Sequence, residues 1–163
     1  ENVADLLDTL NALADQYKYP VIVSTHPRTQ KRLAELDLSS MNPLIQFLKP
    51  FGFTDYIRLQ MGAACVISDS GTITEETSLL GLKAITIRNA HERPEGMDEG
   101  ILIMSGLKKA RVLDAVRVVI EQKADQPDVA PVVKDYENPH VARQVLRVVL
   151  SYTDYINRTV WSK

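Results

Sequence analysis

Two short stretches carry most of the chemistry this chain can offer. Ser68-Asp69-Ser70-Gly71-Thr72-Ile73-Thr74-Glu75-Glu76 puts hydroxyls, a glycine and two carboxylates where an apolar run gives way to a helical pattern. Arg88-Asn89-Ala90-His91-Glu92-Arg93-Pro94-Glu95 follows the next apolar run and carries both signs of charge. The first stretch reads as a strand end, a tight polar turn and the opening of a helix. A helix N-terminus presents unpaired N–H groups and the positive end of the peptide dipole, so it suits a phosphate. Arg93 would add a permanent charge with forked donors. Together they suggest a site for the diphosphate of a nucleotide or nucleotide-sugar.

Each residue also has a plainer reading. Thr72 and Glu75 have the T-x-x-E spacing of a capping box, which would use both on the helix start. Glu76 is free of that duty and could accept hydrogen bonds from sugar hydroxyls, or be a solvated helix carboxylate. Ser70 and Gly71 could form a simple tight turn, and Gly71 would let the backbone approach a ligand closely. His26, before Pro27, is either a donor to a phosphate or base, or a surface or cap residue. Arg93 sits between Glu92 and Glu95, so a local ion pair competes with a phosphate contact. Tyr56 is either a core or rim aromatic or a stacking surface beside the ligand. His91 and His140 read as structural or solvated, and Lys108-Lys109-Arg111 as a solvated helix face. No paired general acid and base and no activated nucleophile stands out.

The elements that must position these residues follow from periodicity. Val3, Leu6, Leu7, Leu10, Leu13, Ala14 and Tyr17 form one apolar helix face, ended by Pro20. Val21 to Ser24 reads as a short buried strand, Gln30 to Leu36 as a helix, Asp37 to Asn42 as a loop and Leu44 to Leu48 as a strand. Phe53 to Met61 reads as a helix, Ala64 to Ser68 as a strand, and Ile73 to Leu80 as a helix closed by Gly81. Ala84 to Ile87 and Ile101 to Met104 read as strands, and Lys108 to Lys123 as a helix. Alternating strands and helices, with continuous apolar strands buried on both faces, specify a parallel sheet flanked by helices. Ligands in such sheets bind beyond the carboxyl ends of the strands, and His26, Ser70 and Arg93 all follow predicted strand ends. Asp125 to Asn138 is proline-bearing and aperiodic, as a connection would be. Asn138 then caps a final helix starting at Pro139 and running past Ile156, with Val141, Val145, Val148, Val149 and two tyrosines on its apolar stripe. The expected division is a domain over residues 1–138 and a helix with an aromatic tail over 139–163.

A chain of 163 residues supports one domain, and 45% hydrophobic content suffices for a real core. A net charge of −2 gives no positive field to hold nucleic acid. The single cysteine, Cys65, lies in an apolar run and reads as a small buried hydrophobe. No spacing typical of a metal site occurs. The apolar runs are shorter than the ~20 residues that span a bilayer. The acidic start does not resemble a signal peptide, and the missing initiator Met suggests a piece of something longer. The expectation is a cytoplasmic protein.

The combined segments S-D-S-G-T-I-T-E-E-T-S-L-L-G and I-R-N-A-H-E-R-P-E resemble the non-hydrolysing UDP-N-acetylglucosamine 2-epimerase family, with the His26-Pro27 pair also matching. The family pattern is S-G-G-I-Q-E-E followed by E-R-P-E at this separation. The resemblance covers nearly the whole chain, as the family's C-terminal domain. Thr72 stands where the family usually has a second Gly, and Asn89-Ala90-His91 where D-T-T or N-T-T is commoner. Those departures and the tail Y-T-D-Y-I-N-R-T-V-W are similar to the capsule and O-antigen branch that includes UDP-N-acetyl-L-fucosamine synthases.

The resemblance implies the C-terminal half of a two-domain, glycosyltransferase-B-type fold. It implies that Ser70 and the Gly71 and Thr72 amides bind the diphosphate, Glu76 the ribose, and Arg93 a phosphate. His26 would line the nucleotide site, and Tyr56 would lie by the uracil. The implied reaction is anti-elimination of UDP from a UDP-N-acetylhexosamine and re-addition with C2 inverted, with no metal or nicotinamide cofactor. The family's acid/base carboxylates and an H-R-x-E-N histidine lie upstream, so this piece is expected to lack the catalytic groups and to be inactive alone. The last helix would pack on the missing N-terminal domain, and the full enzyme would be a homodimer without membrane or nucleic-acid partners. Half of a glycosyltransferase of similar architecture and a stand-alone nucleotide-binding module are the alternatives.

Overall fold

A computed structural model describes residues 2–34, 36, 38–90, 93–121 and 132–163. Helix α1 (Asn2–Tyr17) leads into β1 (Val21–Ser24), α2 (Pro27–Ala34), β2 (Ile45–Leu48), α3 (Phe53–Gly62) and β3 (Val66–Ser68). Then come α4 (Ile73–Leu80), β4 (Ala84–Thr86), α5 (Pro94–Asp98), β5 (Ile103–Met104), α6 (Lys109–Glu121), a 3-10 turn (Lys134–Tyr136) and α7 (Val141–Thr159). The result is the α/β, Rossmann-like arrangement of parallel strands between helices. It is divided into two ladders, β1-β2 and β3-β4-β5, and every pairing is parallel.

β4 organises the interior, and all three of its residues are buried. Alternate strand residues point to opposite faces, so Ile85 joins Leu13 of α1 and Val112, Val116 and Val119 of α6 on one side. Ala84 joins Ile73 of α4 and Leu102 on the other. These are the helix–sheet–helix layers that the alternating pattern predicts. Burial on both faces does not extend to every strand. β1 and β2 alternate half-buried with exposed residues, and Ile22 and Leu48 face outward. Among the described residues these strands pair only with each other, and α1 packs on both.

Element ends have local causes. α1 stops before Pro20, because Lys18 takes a left-handed φ of 57° and its N–H bonds the Ala14 carbonyl at 3.0 Å. α2 starts three residues before the expected Gln30, with Pro27 as its first residue, where a missing N–H costs nothing. Gly81 closes α4 as expected, at φ 62° with its N–H on the Thr77 carbonyl. α7 begins at Val141, not at Pro139. Asn138 bonds the His140 N–H at 2.8 Å and so caps the turn before the helix, with His140 in the N-cap position. Residues 125–131 of the expected connection lie outside the described residues, and its end is ordered as the 3-10 turn.

That turn is strapped to α4 and α5. The Val133 N–H donates to Ser78 Oγ at 2.9 Å, and Tyr136 Oη–H donates to Glu95 Oε1 at 2.7 Å. Burial, reinforced by the hydrogen bond and charge of Glu95, pushes the Tyr136 phenol well above its ordinary range. Between the two helices, a Cβ at Gly96 would fall 2.0 Å from Thr74 Cγ2. The absence of a side chain there lets α5 lie against the first turn of α4.

The expected solvated helix face is exposed. Lys108, Lys109 and Arg111 are exposed, and Lys109 Nζ meets Asp8 Oδ2 at 2.7 Å. Cys65, expected to be buried, is half-buried against the core cluster, where desolvation still pushes its thiol up to about 12. No residue of α7 is buried, and its apolar stripe stands in the open, from Val141 at 54% exposed to Trp161 beyond its end at 63%.

Gly96→Ala should lower stability by about 1–3 kcal/mol, as overpacking does, read as a lower urea midpoint. Thr74→Ser in the same chain removes the clashing methyl and should recover most of the loss. At pH 8 the Cys65 thiol stays protonated, because that pH lies well below its raised pKa. Iodoacetamide should therefore leave the folded chain unlabelled and label it rapidly in denaturant.

Candidate functional site

The site is built on the first turn of α4. β3 ends at Ser68, whose Oγ accepts the Ser70 N–H at 3.0 Å, and Ser70 Oγ accepts the Thr72 N–H at 3.3 Å. The chain is thereby turned back so that Ser70 and Gly71 sit above the α4 N-terminus. Thr72 occupies the N-cap position at φ −71°, ψ −9°, and its side chain makes no cap bond. The orphan N–H groups of the helix start are left uncapped by side chains, which is the state an anion site needs.

The T-x-x-E capping box is therefore not formed. In the right-handed region Thr72 cannot aim its hydroxyl back at the helix amides as an extended N-cap does. Its Oγ1 instead donates to Glu76 Oε1 at 2.7 Å. Glu75 forms an ion pair with Arg93 Nε, because a guanidinium is a stronger partner for a carboxylate than a neutral amide. The second Glu75 oxygen is buried without a partner among the described residues. Arg93 thus pairs across 18 positions, and not only within its own loop as the flanking Glu92 and Glu95 suggested. Glu95 turns instead to Tyr136.

Ser70, Gly71 and Arg93 line one cleft, with Thr74, Thr86 and Arg88 completing its polar wall and Ile73, Met97 and Leu102 its floor. The cleft lies past the carboxyl end of β4, which is where a parallel sheet binds ligands. Arg88, the Glu75-paired Arg93 and the start of α4 face one space and together make it attractive to an anion. Arg88 went unassigned in the sequence. The signal was available, since it directly follows the β4 strand pattern as Ser70 follows that of β3.

Glu76 and Tyr56 belong to the α3 side. Gln60 Nε2 of α3 bonds Glu76 Oε2 at 2.5 Å. Tyr56, half-buried on the same helix, has its phenol pushed up first by burial and then by the Glu76 and Asp69 carboxylates. The phenol therefore stays neutral and offers a flat aromatic surface near Glu76. Gln60, buried at 4% exposed, is the residue that sequence reasoning passed over. Nothing in a polar residue within an amphipathic helix marks it as buried.

His26 is not brought into the cleft lining. It follows β1 on the other ladder, exposed, and its carbonyl accepts the Thr29 and Gln30 N–H groups at 2.8 and 3.0 Å to start α2. His91, with Glu92, lies outside the described residues. Among the described residues no group of three metal-ligating side chains assembles, and no helix is long and apolar enough to cross a membrane.

Comparison with known proteins gives this geometry a family. A family model described as UDP-N-acetylglucosamine 2-epimerase matches residues 1–150. The chain is 31% identical over 126 residues to the UDP-N-acetylglucosamine 2-epimerase of Methanocaldococcus jannaschii, a match spanning 76% of this chain and 34% of that protein. Among solved structures, UDP-N-acetylglucosamine 2-epimerase from Rickettsia bellii superposes with a TM-score of 0.86 at 51% identity, covering 99% of this chain and 44% of the other. The M. jannaschii enzyme in complex with UDP-GlcNAc and UDP superposes with a TM-score of 0.72 at 28% identity, covering 90% and 41%. The chain therefore spans about a third of the curated relative it matches and less than half of the solved chains. With a match across residues 1–150, a shared parallel fold, and Ser70, Gly71 and Arg93 lining one cleft, the chain belongs to the UDP-N-acetylglucosamine 2-epimerase family.

Proposed function

We propose that this chain is the UDP-binding half of a UDP-sugar 2-epimerase that inverts C2 of a UDP-N-acetylhexosamine. The observation that carries this reading is the cleft itself, where the Ser70-Gly71 turn at an uncapped helix start faces Arg88 and Arg93. The diphosphate lies on the α4 amides, with the Ser70 hydroxyl turning from Thr72 Oγ1 to a phosphate oxygen and Arg93 on another. Glu76 takes the ribose hydroxyls, Tyr56 lies beside the uracil, and His26 reaches the nucleotide from the β1 end. In this reaction a base removes the C2 proton while the C1–O bond breaks and its electron pair leaves with UDP. Re-addition of UDP to the glycal and protonation of C2 on the opposite face complete the inversion. This half holds the leaving group. It stabilises the charge that builds on the diphosphate and keeps UDP in place to return.

The acid and base groups belong to the rest of the protein, so the chain alone is inactive. The division falls at residues 1–138 and 139–163, with the exposed apolar face of α7 packing on the N-terminal half. An unpartnered apolar face of that extent on an otherwise folded chain supports this placement. Thr72 and Asn89-Ala90-His91 support the branch that acts on 6-deoxy-L-sugars for surface polysaccharides. The parent enzyme is then a cytoplasmic homodimer.

Calorimetric titration tests the reading. UDP should bind, ADP should bind at least about tenfold more weakly, and Arg93→Ala should cost about 10- to 100-fold in UDP affinity, as loss of a charged hydrogen bond does. Circular dichroism of the variant guards against unfolding through the lost Glu75 pair. Equal binding of UDP and ADP, or undiminished binding by the folded variant, would contradict it.

A further inference from the structure

We propose that Gln60 and Thr72 are positioning residues that hold the Glu76 carboxylate as a fixed acceptor for the ribose hydroxyls. The inference rests on the uridine-diphosphate reading of the cleft and adds two residues to it. Each oxygen of Glu76 has its own donor: Oε2 receives Gln60 Nε2 at 2.5 Å and Oε1 receives Thr72 Oγ1 at 2.7 Å. An ionised carboxylate only accepts, and each oxygen has two lone-pair positions. One donor per oxygen therefore fixes the plane of the group and leaves an open position on each oxygen, which two adjacent hydroxyls can fill.

The chemistry of Gln60 favours this role over a purely structural one. Its side chain is buried, and because a carboxylate cannot donate, the amide must turn its nitrogen to Glu76. The amide oxygen is then buried without a partner among the described residues. A buried unsatisfied acceptor works against folding, so an apolar side chain of similar size would serve stability better. What the amide supplies is a donor aimed at Glu76.

Thr72 supplies the second donor from the phosphate turn. Its single proton goes to Glu76, so the 2.9 Å contact with Ser70 Oγ uses the Ser70 proton. A glycine at this position would leave Glu76 Oε1 without that bond. The hydroxyl at position 72 thus ties the ribose acceptor to the turn that cradles the diphosphate.

The test titrates this chain with UDP and with 2′,3′-dideoxy-UDP. In the unmodified chain UDP should bind at least about tenfold more tightly, and Glu76→Gln should largely abolish that ratio, in line with the size of a charged hydrogen bond. Gln60→Leu should cut the ratio about threefold or more while leaving dideoxy-UDP affinity within about twofold and the melting temperature unchanged or higher. Thr72→Val should also lower the ratio. An unchanged ratio in both variants overturns the proposal alone. So does an equal loss of both ligands in Gln60→Leu, which marks a structural role. Failure of the unmodified chain to bind UDP overturns the uridine-diphosphate reading and this proposal with it.

Discussion

The ion pair between Glu75 and Arg93 joins the first turn of α4 to the loop that follows β4, and the site takes its shape from that junction. Both side chains are about 30% exposed, so the pair contributes little to global stability. Its value is geometric. It holds Arg93 beside the start of α4, on the same cleft as Ser70 and Gly71. It also removes Glu75 from the helix cap, and Ser70 Oγ takes the Thr72 N–H in its place.

The other side chains of this turn are committed in the same way. Thr74 lies where Gly96 has no side chain, so α5 can close down on it. Ile73 is anchored in the core beneath β4 with Ala84 and Leu102. Glu76 reaches α3 through Gln60. Four successive residues thus point to four different parts of the molecule. The Ser70–Thr72 turn is framed by neighbours that are each held by an independent contact. The Tyr136 and Val133 bonds add a strap from the far end of the chain across α4 and α5.

Apart from the short α5, read as a charged loop, and the 3-10 turn, the order and type of the elements were legible in the sequence because strand and helix periods alternate cleanly and Gly81 marks its stop. The burial of β1 and β2 was not, since a four-residue apolar run looks the same whether helices cover one face or two. The capping box failed for a physical reason. The T-x-x-E pattern is local, and the Arg93 that claims Glu75 is 18 residues away. Ser70, Gly71 and Arg93 converge as their positions after strand ends implied, whereas His26 follows a strand of the other ladder. Arg88 and Gln60 show the limits of reading residue types. One was overlooked beside a more conspicuous arginine, and the other acts only through a carboxylate that folding brings to it.

The most direct test of the central claim is an NMR titration of the isotope-labelled chain with UDP, following backbone amides and arginine Nε–H signals. The account predicts that the largest shifts fall on the amides of residues 70–75 and on Arg88 and Arg93, saturating together. Saturable shifts confined to the β1–β2 ladder or to α7, with the start of α4 unmoved, would contradict it.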